Sequence, residues 1–168
     1  NLTGLIWLKN ANPCGLKSWA DALAYCNTLA NGTAGLIDGS KAGDWRLPNV
    51  QELESLIDFN SFSPALPAGN PFADVQNDLY YWSSTSYVFD PGIAWWVYIF
   101  NGVAYSSSQK SNTFYVWPVR GGQCGIDTSV VCLPKTGETT CWDASGNQIS
   151  CTGTGQDGEL QKGVAWPN

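Results

Sequence analysis

The stretch GDWRLPNVQELESLID, residues 43–58, decides how this chain folds. Asn49 is a good helix N-cap, and Glu52 follows it by three residues, which is the spacing of a capping box. Pro48 forces Leu47 toward extended backbone, so the helix cannot begin earlier. The predicted helix then has one apolar face, made by four residues at helical spacing: Val50, Leu53, Leu56 and Ile57.

The three residues before Pro48 predict how this helix meets the rest of the domain. We expect Trp45 and Leu47 to fill the junction between the helices and a sheet. We expect Arg46 to pair with a carboxylate or with backbone carbonyls. This interpretation makes the stretch a fold-building signature that contacts no ligand.

A second helix is predicted upstream, in SWADALAYCNTLANG at residues 18–32. Ser18 can cap its N-terminus, and Asn31-Gly32 ends the pattern. Five residues fall at the spacing of one buried helix face: Trp19, Ala22, Leu23, Cys26 and Leu29. A strand is predicted before this helix, in LTGLIWLK at residues 2–9.

Downstream of residue 80 the pattern becomes β. YYWSSTSY precedes IAWWVYIFNGVAYSSS, in which Asn101-Gly102 is a strong hairpin signal, and NTFYVWPVRGG is a further predicted strand. Alternation places Trp95, Val97 and Ile99 on one face of a strand and Trp96, Tyr98 and Phe100 on the other. Both faces are apolar, so either both are covered or one offers its rings to a partner.

The charge of the chain limits its partners. The net charge is −6, charged residues are only 13% of the sequence, and nine Trp supply a large apolar content. Nucleic acids and anionic membrane surfaces are both bound through Lys and Arg, so neither is an expected partner. No apolar run is long enough to predict insertion in a membrane.

Six cysteines and the absence of histidine favour disulfides in an oxidising compartment over a zinc site. Six cysteines allow 15 pairings. We expect the three that close short loops: Cys14–Cys26, Cys124–Cys132 and Cys141–Cys151. The last is favoured most, because WDASGNQIS between its cysteines has the form of a hairpin with a Ser-Gly-Asn turn.

The composition shifts after Gly121-Gly122. The remaining residues are rich in Thr, Gly and Ser and hold four of the six cysteines. They contain too few large apolar side chains for a core of their own. We therefore divide the chain into a domain at 1–122 and an extension or inter-repeat linker at 123–168, stapled by disulfides.

Together these motifs resemble the Lcl C-terminal domain family, found at the tips of bacterial collagen-like adhesins. The resemblance rests on LTGLIWLKNA, WADAL, GDWRLPNVQELESLID, YYWSSTSY and YVWPVRGG in this order, and it covers residues 1 to about 122. WRLPNVQELESLID is also similar to the RLPTEAEWE pattern of formylglycine-generating enzymes. The resemblance implies an α+β, C-type lectin-like fold, with two helices packed on a twisted antiparallel sheet region.

The order of the motifs also suggests a repeat. The tail, from LPKTGETTC to GVAWP, resembles the segment that precedes such a domain in relatives that carry it in tandem. In those relatives a strand lies between a GVAW-like segment and NLTGLIW. The chain also lacks methionine. We therefore expect one unit processed or excised from a longer polypeptide, whose strand either lies in a neighbouring copy or was not retained.

Enzymatic motifs are weak. No histidine can act as general base, and the scattered Asp residues cannot be placed at the separation of a glycosidase pair. The formylglycine-generating relatives bind copper through late cysteines, but here we expect a structural disulfide. LPKTGE at 133–138 looks like a sorting signal, but no apolar segment follows it, so we interpret it as a coincidence.

No resident metal or other cofactor is expected. The calcium motifs of lectins are absent, although two turns offer oxygen ligands of the kind that Ca²⁺ prefers. These are DASGN, with Asp143 and Asn147, and GQDGE, with Asp157 and Glu159. Asp and Asn also form such turns without a metal, so calcium stays the less favoured interpretation.

The best candidate for a binding surface is the hairpin region. Its Tyr and Trp rings combine large area with little conformational freedom, and its Asn and Ser side chains offer hydrogen bonds. The predicted ligand-binding residues are Tyr80, Tyr81, Tyr87, Phe89, Asp90, Trp96, Tyr98, Phe100, Asn101 and Tyr105. The alternative is that about half of these rings cover the second face of the sheet or pack against the C-terminal tail.

The favoured function is a secreted or bacterial surface-displayed recognition module without enzymatic activity, which binds a glycan or a protein through the aromatic hairpin face. It is expected to be one unit of a tandem or polymerised surface protein. The alternative is a structural subunit of an extracellular filament or surface appendage, in which the same face packs against neighbouring copies.

Overall fold

A computed structural model describes residues 3–122 and 131–166. In chain order the elements are β1 Leu5–Trp7, α1 Trp19–Thr28, α2 Val50–Glu54, β2 Tyr81–Ser86, β3 Ile93–Tyr98, β4 Val103–Gln109, β5 Val119–Gly121, β6 Cys141–Trp142, β7 Gln148–Ile149 and α3 Asp157–Leu160. Three antiparallel sheets form: β1–β5, β2–β3–β4 and β6–β7. The predicted mixture of a few helices with antiparallel strands is confirmed.

Helix α1 begins where the sequence predicts, because the Ser18 hydroxyl accepts a hydrogen bond from the Asp21 backbone N–H. Its inward residues join β2 and β3 in one core cluster: Trp19, Ala22, Leu23, Cys26, Leu47, Trp82, Ala94, Trp96, Phe114 and Val116. The Trp19 indole N–H donates to the Ser83 carbonyl at 2.8 Å, which satisfies its buried polar atom and fixes the helix against β2.

Residues 43–58 form the junction that their sequence predicts. Trp45 and Leu47 are both buried. The Arg46 guanidinium donates to both oxygens of the Glu52 carboxylate, with Nη1–Oε2 at 2.6 Å and Nη2–Oε1 at 2.7 Å. Asn49 and Glu52 form the capping box in both directions. The expectations for all five side chains are confirmed.

Arg46 also joins the two ends of the domain. Its backbone N–H and carbonyl both bond Val119, at 2.9 and 3.0 Å, and its Nη2 donates to the Gly121 carbonyl at 3.2 Å. Val119 and Gly121 belong to β5, which pairs with β1 from Leu5↔Gly121 to Trp7↔Val119. One buried side chain therefore holds α2 and the strand pair together.

Helix α2 is shorter than the apolar pattern predicts, since it ends at Glu54. The Ser55 hydroxyl donates to the Glu52 carbonyl at 2.6 Å. Leu56 and Ile57 then bond Leu53 and Glu54, three residues back, so the chain continues as tight turns. The side chains of Leu56 and Ile57 still pack against the core.

The predicted strand NTFYVWPVRGG is also shorter than expected, because only Val119–Gly121 is a strand. Phe114 and Tyr115 make isolated bridges to Lys17 and Tyr81. Pro118 follows this segment and has no backbone N–H to give to a ladder.

The hairpin β3–β4 separates two cores, as the alternation of β3 predicts. Trp96 and Tyr98 pack with the α1 cluster, whereas Val97 and Ile99 pack with Leu53, Leu66, Tyr81 and Trp117 on the other face. Tyr98 pairs with Val103, and the turn between them contains Gly102 at φ +75°. A Cβ at Gly102 would lie 2.5 Å from the Ile57 side chain, so this turn needs glycine.

The described part of the extension contacts β2. It contributes the short hairpin β6–β7, closed by the Cys141–Cys151 disulfide, and the one-turn helix α3. Every residue of β2 is buried. The sequence-based boundary at residue 122 stays a prediction.

Removing the charge of Glu52 tests the buried ion pair. Glu52→Gln preserves the shape but leaves the Arg46 guanidinium buried without a countercharge, so we expect the free energy of unfolding to fall by about 3 kcal/mol. Urea denaturation followed by near-ultraviolet circular dichroism measures this change.

Asp38→Asn is the matched control, because it breaks the more exposed Arg120–Asp38 pair, whose atoms lie 3.2 Å apart. A much smaller loss is expected there, since exposed pairs contribute little. Equal losses for the two variants would contradict the role assigned to the Arg46–Glu52 pair.

Candidate functional site

The predicted ligand-binding residues do not form one surface. Tyr80, Tyr98, Phe100 and Tyr105 lie together around Trp96, whereas Tyr87, Phe89 and Asp90 lie at the opposite end of the hairpin. Asn101 is exposed in the β3–β4 turn. Tyr81 is fully buried and Trp96 is 5% exposed, so we leave both out of the candidate surface.

The burial of Tyr81 and Trp96 has a simple cause. Tyr81 packs against Trp117, and its hydroxyl accepts a hydrogen bond from the Gln76 backbone N–H at 2.8 Å. Trp96 is enclosed between Tyr80 and Tyr105. Sequence reasoning assigned these rings to the surface because alternation identifies the two faces of a strand but not which face is covered.

We call Tyr80, Tyr98, Phe100 and Tyr105 the stacked face. The Tyr80 ring stacks on Trp96 with centroids 3.8 Å apart, and Tyr105 stacks on Trp96 at 4.6 Å. Tyr98 stacks on Phe100 at 5.5 Å. Tyr105 is 40% exposed although Trp96 covers one of its sides. The stacking holds the Tyr105 ring in one orientation at the surface.

A second surface, which we call the groove, lies between the hairpin and the extension. It has a volume of about 480 Å³. The hairpin contributes Thr85 to Phe89 and Trp95, and the extension contributes Thr136 to Thr140 and Trp142. Of the residues predicted from sequence, only Tyr87 and Phe89 line it.

Two carboxylates of the extension connect it to β2 beside the groove. Glu138 Oε2 accepts the Ser86 backbone N–H at 3.0 Å. Asp157 Oδ2 accepts the hydroxyls of Thr85 at 2.8 Å and Thr136 at 2.6 Å. The Thr85 oxygen in turn accepts the Val50 backbone N–H, so this chain of hydrogen bonds reaches the start of α2.

Burial changes the titration of these groups. It raises the pKa of Glu138 to about 7, with the negative charge of Asp157 acting in the same direction. Burial also raises the pKa of Asp157. Lys110 is buried over the Trp19 ring and donates to the Ser86 hydroxyl at 2.9 Å. Desolvation lowers the pKa of Lys110 to about 8.

Sequence reasoning missed Trp95, Trp142 and Glu138 as groove residues. Trp95 was assigned to a strand face, and Trp142 to the loop between two cysteines. Glu138 lies in LPKTGE, the sequence interpreted as a coincidental sorting signal. The structure gives LPKTGE a packing role, since Pro134 bridges to Val164 and Thr136 bonds Asp157. No local signal identifies residues that meet only when the extension folds back.

The cysteine predictions have three different outcomes. The Cys141–Cys151 disulfide is confirmed. Cys124 lies outside the described residues, so the Cys124–Cys132 pairing stays a prediction. The Cys14–Cys26 pairing is wrong, because both are free thiols. Cys26 points into the core from α1 and is fully buried, and burial raises its pKa well above its ordinary value.

The two turns considered for calcium use their oxygens internally. Asp143 accepts the backbone N–H groups of Ser145 and Asn147. Glu159 accepts those of Gly153 and Gly155, at 2.6 and 2.7 Å. Within residues 3–122 and 131–166, no group of three or more metal-ligating side chains is gathered. The carboxylates of Asp143 and Glu159 are therefore already occupied by backbone N–H groups close to them in sequence.

The titration of Glu138 predicts a pH-dependent stability. Its pKa is raised to about 7 in the folded state, so the folded chain holds this proton more tightly than the unfolded chain. The resulting stabilisation is present at low pH and is lost as the pH rises through 7. We expect the free energy of unfolding to fall by about 1 kcal/mol between about pH 5 and 7.5.

Urea titrations at several pH values measure this slope, and Glu138→Gln should reduce it, with Asp157, whose pKa burial also raises, accounting for the remainder. This pH range lies above the pKa values of groups that hydrogen bonds lower, such as Asp143 and Glu159, so these groups stay ionised throughout it. The range also ends below the pKa of Lys110. Glu159→Gln is the control, since it should keep the slope. An unchanged slope in Glu138→Gln would contradict the assignment.

Comparison with known proteins shows to which family the chain belongs. No helix in the described part of the chain is long and apolar enough to cross a membrane. A comparison with curated proteins finds no match. The model of the Lcl C-terminal domain matches residues 1–120, which include the Arg46–Glu52 junction and the whole stacked face. This family indicates a surface-associated, adhesin-type module. The chain belongs to the Lcl C-terminal domain family.

Proposed function

We propose that this chain is an extracellular recognition module without enzymatic activity, which binds a glycan through its stacked face. Membership of an adhesin-type family supports the general role. The observation that carries the proposal is the exposed ring of Tyr105, fixed on Trp96 with centroids 4.6 Å apart. A fixed, outward ring is a platform on which a sugar ring can stack.

The surroundings of Tyr105 supply hydrogen-bonding groups for such a ligand. Ser107 is exposed on the same strand, Ser106 is half-buried, and Asn101 is exposed in the adjoining turn. These side chains combine donor and acceptor atoms with little charge, as adaptable recognition surfaces do. The Asn101 oxygen already accepts the Val103 N–H at 3.1 Å, which holds its amide in place.

The ligand expected from this chemistry is neutral. The chain has a net charge of −6 and only eight Lys and Arg residues. Of these, Arg46 and Lys110 are buried. A densely sulfated glycan needs a cluster of cations, so we propose a neutral glycan as the occupant.

We also propose that the pairing of β1 with β5, closed by the α2 junction, is a version of the C-type lectin-like arrangement. The motif order and the antiparallel pairing of the two ends support this proposal. The extension at residues 123–168 would then be an addition that contacts β2. Secretion to the bacterial surface completes the proposal, and the disulfide Cys141–Cys151 supports it.

A second candidate function is a structural subunit of a filament, with the unit repeated in tandem or polymerised. The observation that favours it is the position of β4, which is the edge strand of the β2–β3–β4 sheet. Tyr105 and Val103 are exposed on this edge strand. A strand of a neighbouring copy could pair there and cover the stacked face.

Glycan binding can be tested with the isolated chain on an array of neutral glycans, followed by calorimetry with the strongest hit. Tyr105→Ala should weaken binding about tenfold, because it removes one stacking ring. The variant should keep the stability of the wild type to within about 1 kcal/mol, since the ring is partly exposed.

Phe59→Ala is the matched control, because Phe59 is an equally large exposed ring outside the stacked face. It should leave the affinity unchanged. Equal losses in the two variants, or no glycan bound at all, would contradict the proposal. Sedimentation at increasing concentration separates the second candidate, which requires self-association that Tyr105→Ala weakens.

A further inference from the structure

The walls of the groove are aromatic rings set at steep angles to each other. The Tyr87 ring lies 5.6 Å from Phe89 with an interplanar angle of 66°, and 5.9 Å from Trp95 at 80°. Trp142 of the extension also lines the groove. This arrangement differs from the surroundings of Tyr105, whose ring lies at only 29° to the Trp96 ring on which it stacks. Rings inclined steeply to each other enclose a compact, rounded group better than they support one face of a sugar ring.

The groove also carries one negative group. Glu138 lines it together with Ser86, whose backbone N–H the carboxylate accepts. Phe89 is 84% exposed, which leaves the entrance beside it open to solvent. A site with aromatic faces and a single carboxylate attracts an organic cation, since the ring faces are electron-rich.

Hydrogen bonding selects the kind of cation. A primary ammonium has three N–H donors that need acceptors. Thr85 and Thr136 already donate to Asp157 and accept the N–H groups of Val50 and Glu138. One oxygen of Glu138 is also occupied by Ser86. A quaternary ammonium, with three methyl groups in place of the three N–H donors, needs no acceptor, so it fits these walls at a lower desolvation cost.

We propose that the groove between the hairpin and the extension binds a trimethylammonium group, the headgroup of choline. The rings of Tyr87, Phe89, Trp95 and Trp142 surround its methyl groups, and Glu138 supplies the countercharge. The net charge of −6 favours the approach of a cation to the chain as a whole. This site is separate from the glycan surface and does not depend on it.

The charged groups around Glu138 set the pH dependence of this site. Asp157 raises the pKa of Glu138 and Lys110 lowers it, and Lys110 also interacts with Asp143. The carboxylate is ionised above pH 7 and neutral below it, so choline binding should strengthen as the pH rises through 7. Lys110 loses its own charge near pH 8, which removes a competing cation and acts in the same direction.

The test is a titration of the whole chain with choline chloride, followed by the indole N–H resonances of Trp95 and Trp142. These are assigned through Trp95→Phe and Trp142→Phe. Binding in the millimolar range is expected. The matched probe is 3,3-dimethylbutan-1-ol, which has the shape of choline without its charge and should bind about tenfold more weakly.

Two variants separate the ring and charge contributions. Glu138→Gln should weaken choline binding about fivefold and remove its pH dependence near pH 7, leaving the change that Lys110 causes near pH 8. Phe89→Ala should weaken it about threefold, and its exposed position makes misfolding no concern. Tyr105→Ala should leave choline binding unchanged, so failure of the glycan proposal and failure of this one are distinguishable.

Four results would overturn the proposal. In the first, the neutral analogue 3,3-dimethylbutan-1-ol binds as tightly as choline. In the second, lysine amide binds more tightly than choline. In the third, choline shifts the resonances of the stacked face and not those of the groove. Absence of any shift in the wild type, with the Trp95 and Trp142 resonances assigned, would overturn it as well.

Discussion

The structure depends on the buried ion pair between Arg46 and Glu52. Glu52 uses the same carboxylate to close the capping box of α2, and Arg46 uses the same side chain to hold the Gly121 carbonyl. A buried pair of this kind adds little net stability compared with a well-packed apolar pair. The ion pair instead specifies the position of α2, because only one placement of α2 against β5 satisfies every hydrogen-bond donor of Arg46 and of the capping box.

Strand β2 shows how the extension completes the domain. Its residues are buried on both faces, although an antiparallel strand at the edge of a sheet usually exposes one face to solvent. The carboxylates of Glu138 and Asp157 reach polar atoms of β2 that would otherwise face water. The groove exists only because of this contact, since half of its lining comes from residues 136–142.

Local patterns predicted the parts of the fold that local physics controls. Ser18 and Asn49 mark helix starts because capping is decided within three residues, and both were correct. The Cys14–Cys26 pairing failed although the helical pattern had already placed Cys26 on the buried face of α1. Cys14 packs against the same core cluster as Cys26, yet both remain free thiols, so a short loop and proximity do not by themselves establish a disulfide.

The candidate site was predictable only in part. Tyr87, Phe89 and Tyr105 were identified as aromatic residues of a hairpin, which the sequence shows directly. The covering of Tyr81 depends on Trp117, which is distant in sequence. The presence of Trp142 and Glu138 in the same groove as Tyr87 depends on contacts such as that between Ser86 and Glu138, 52 positions apart. Periodicity carries no information about such contacts.

The pairing of β1 with β5 has a mechanical consequence. Leu5 lies opposite Gly121, so the outer ends of the two strands are neighbours. Tension transmitted along the backbone from both sides would peel this pair apart one hydrogen bond at a time, starting at that end, and would not shear all its bonds together. Arg46 bonds Gly121 at that end and Val119 further along β5, so these bonds would oppose the separation of the two strands from its first step.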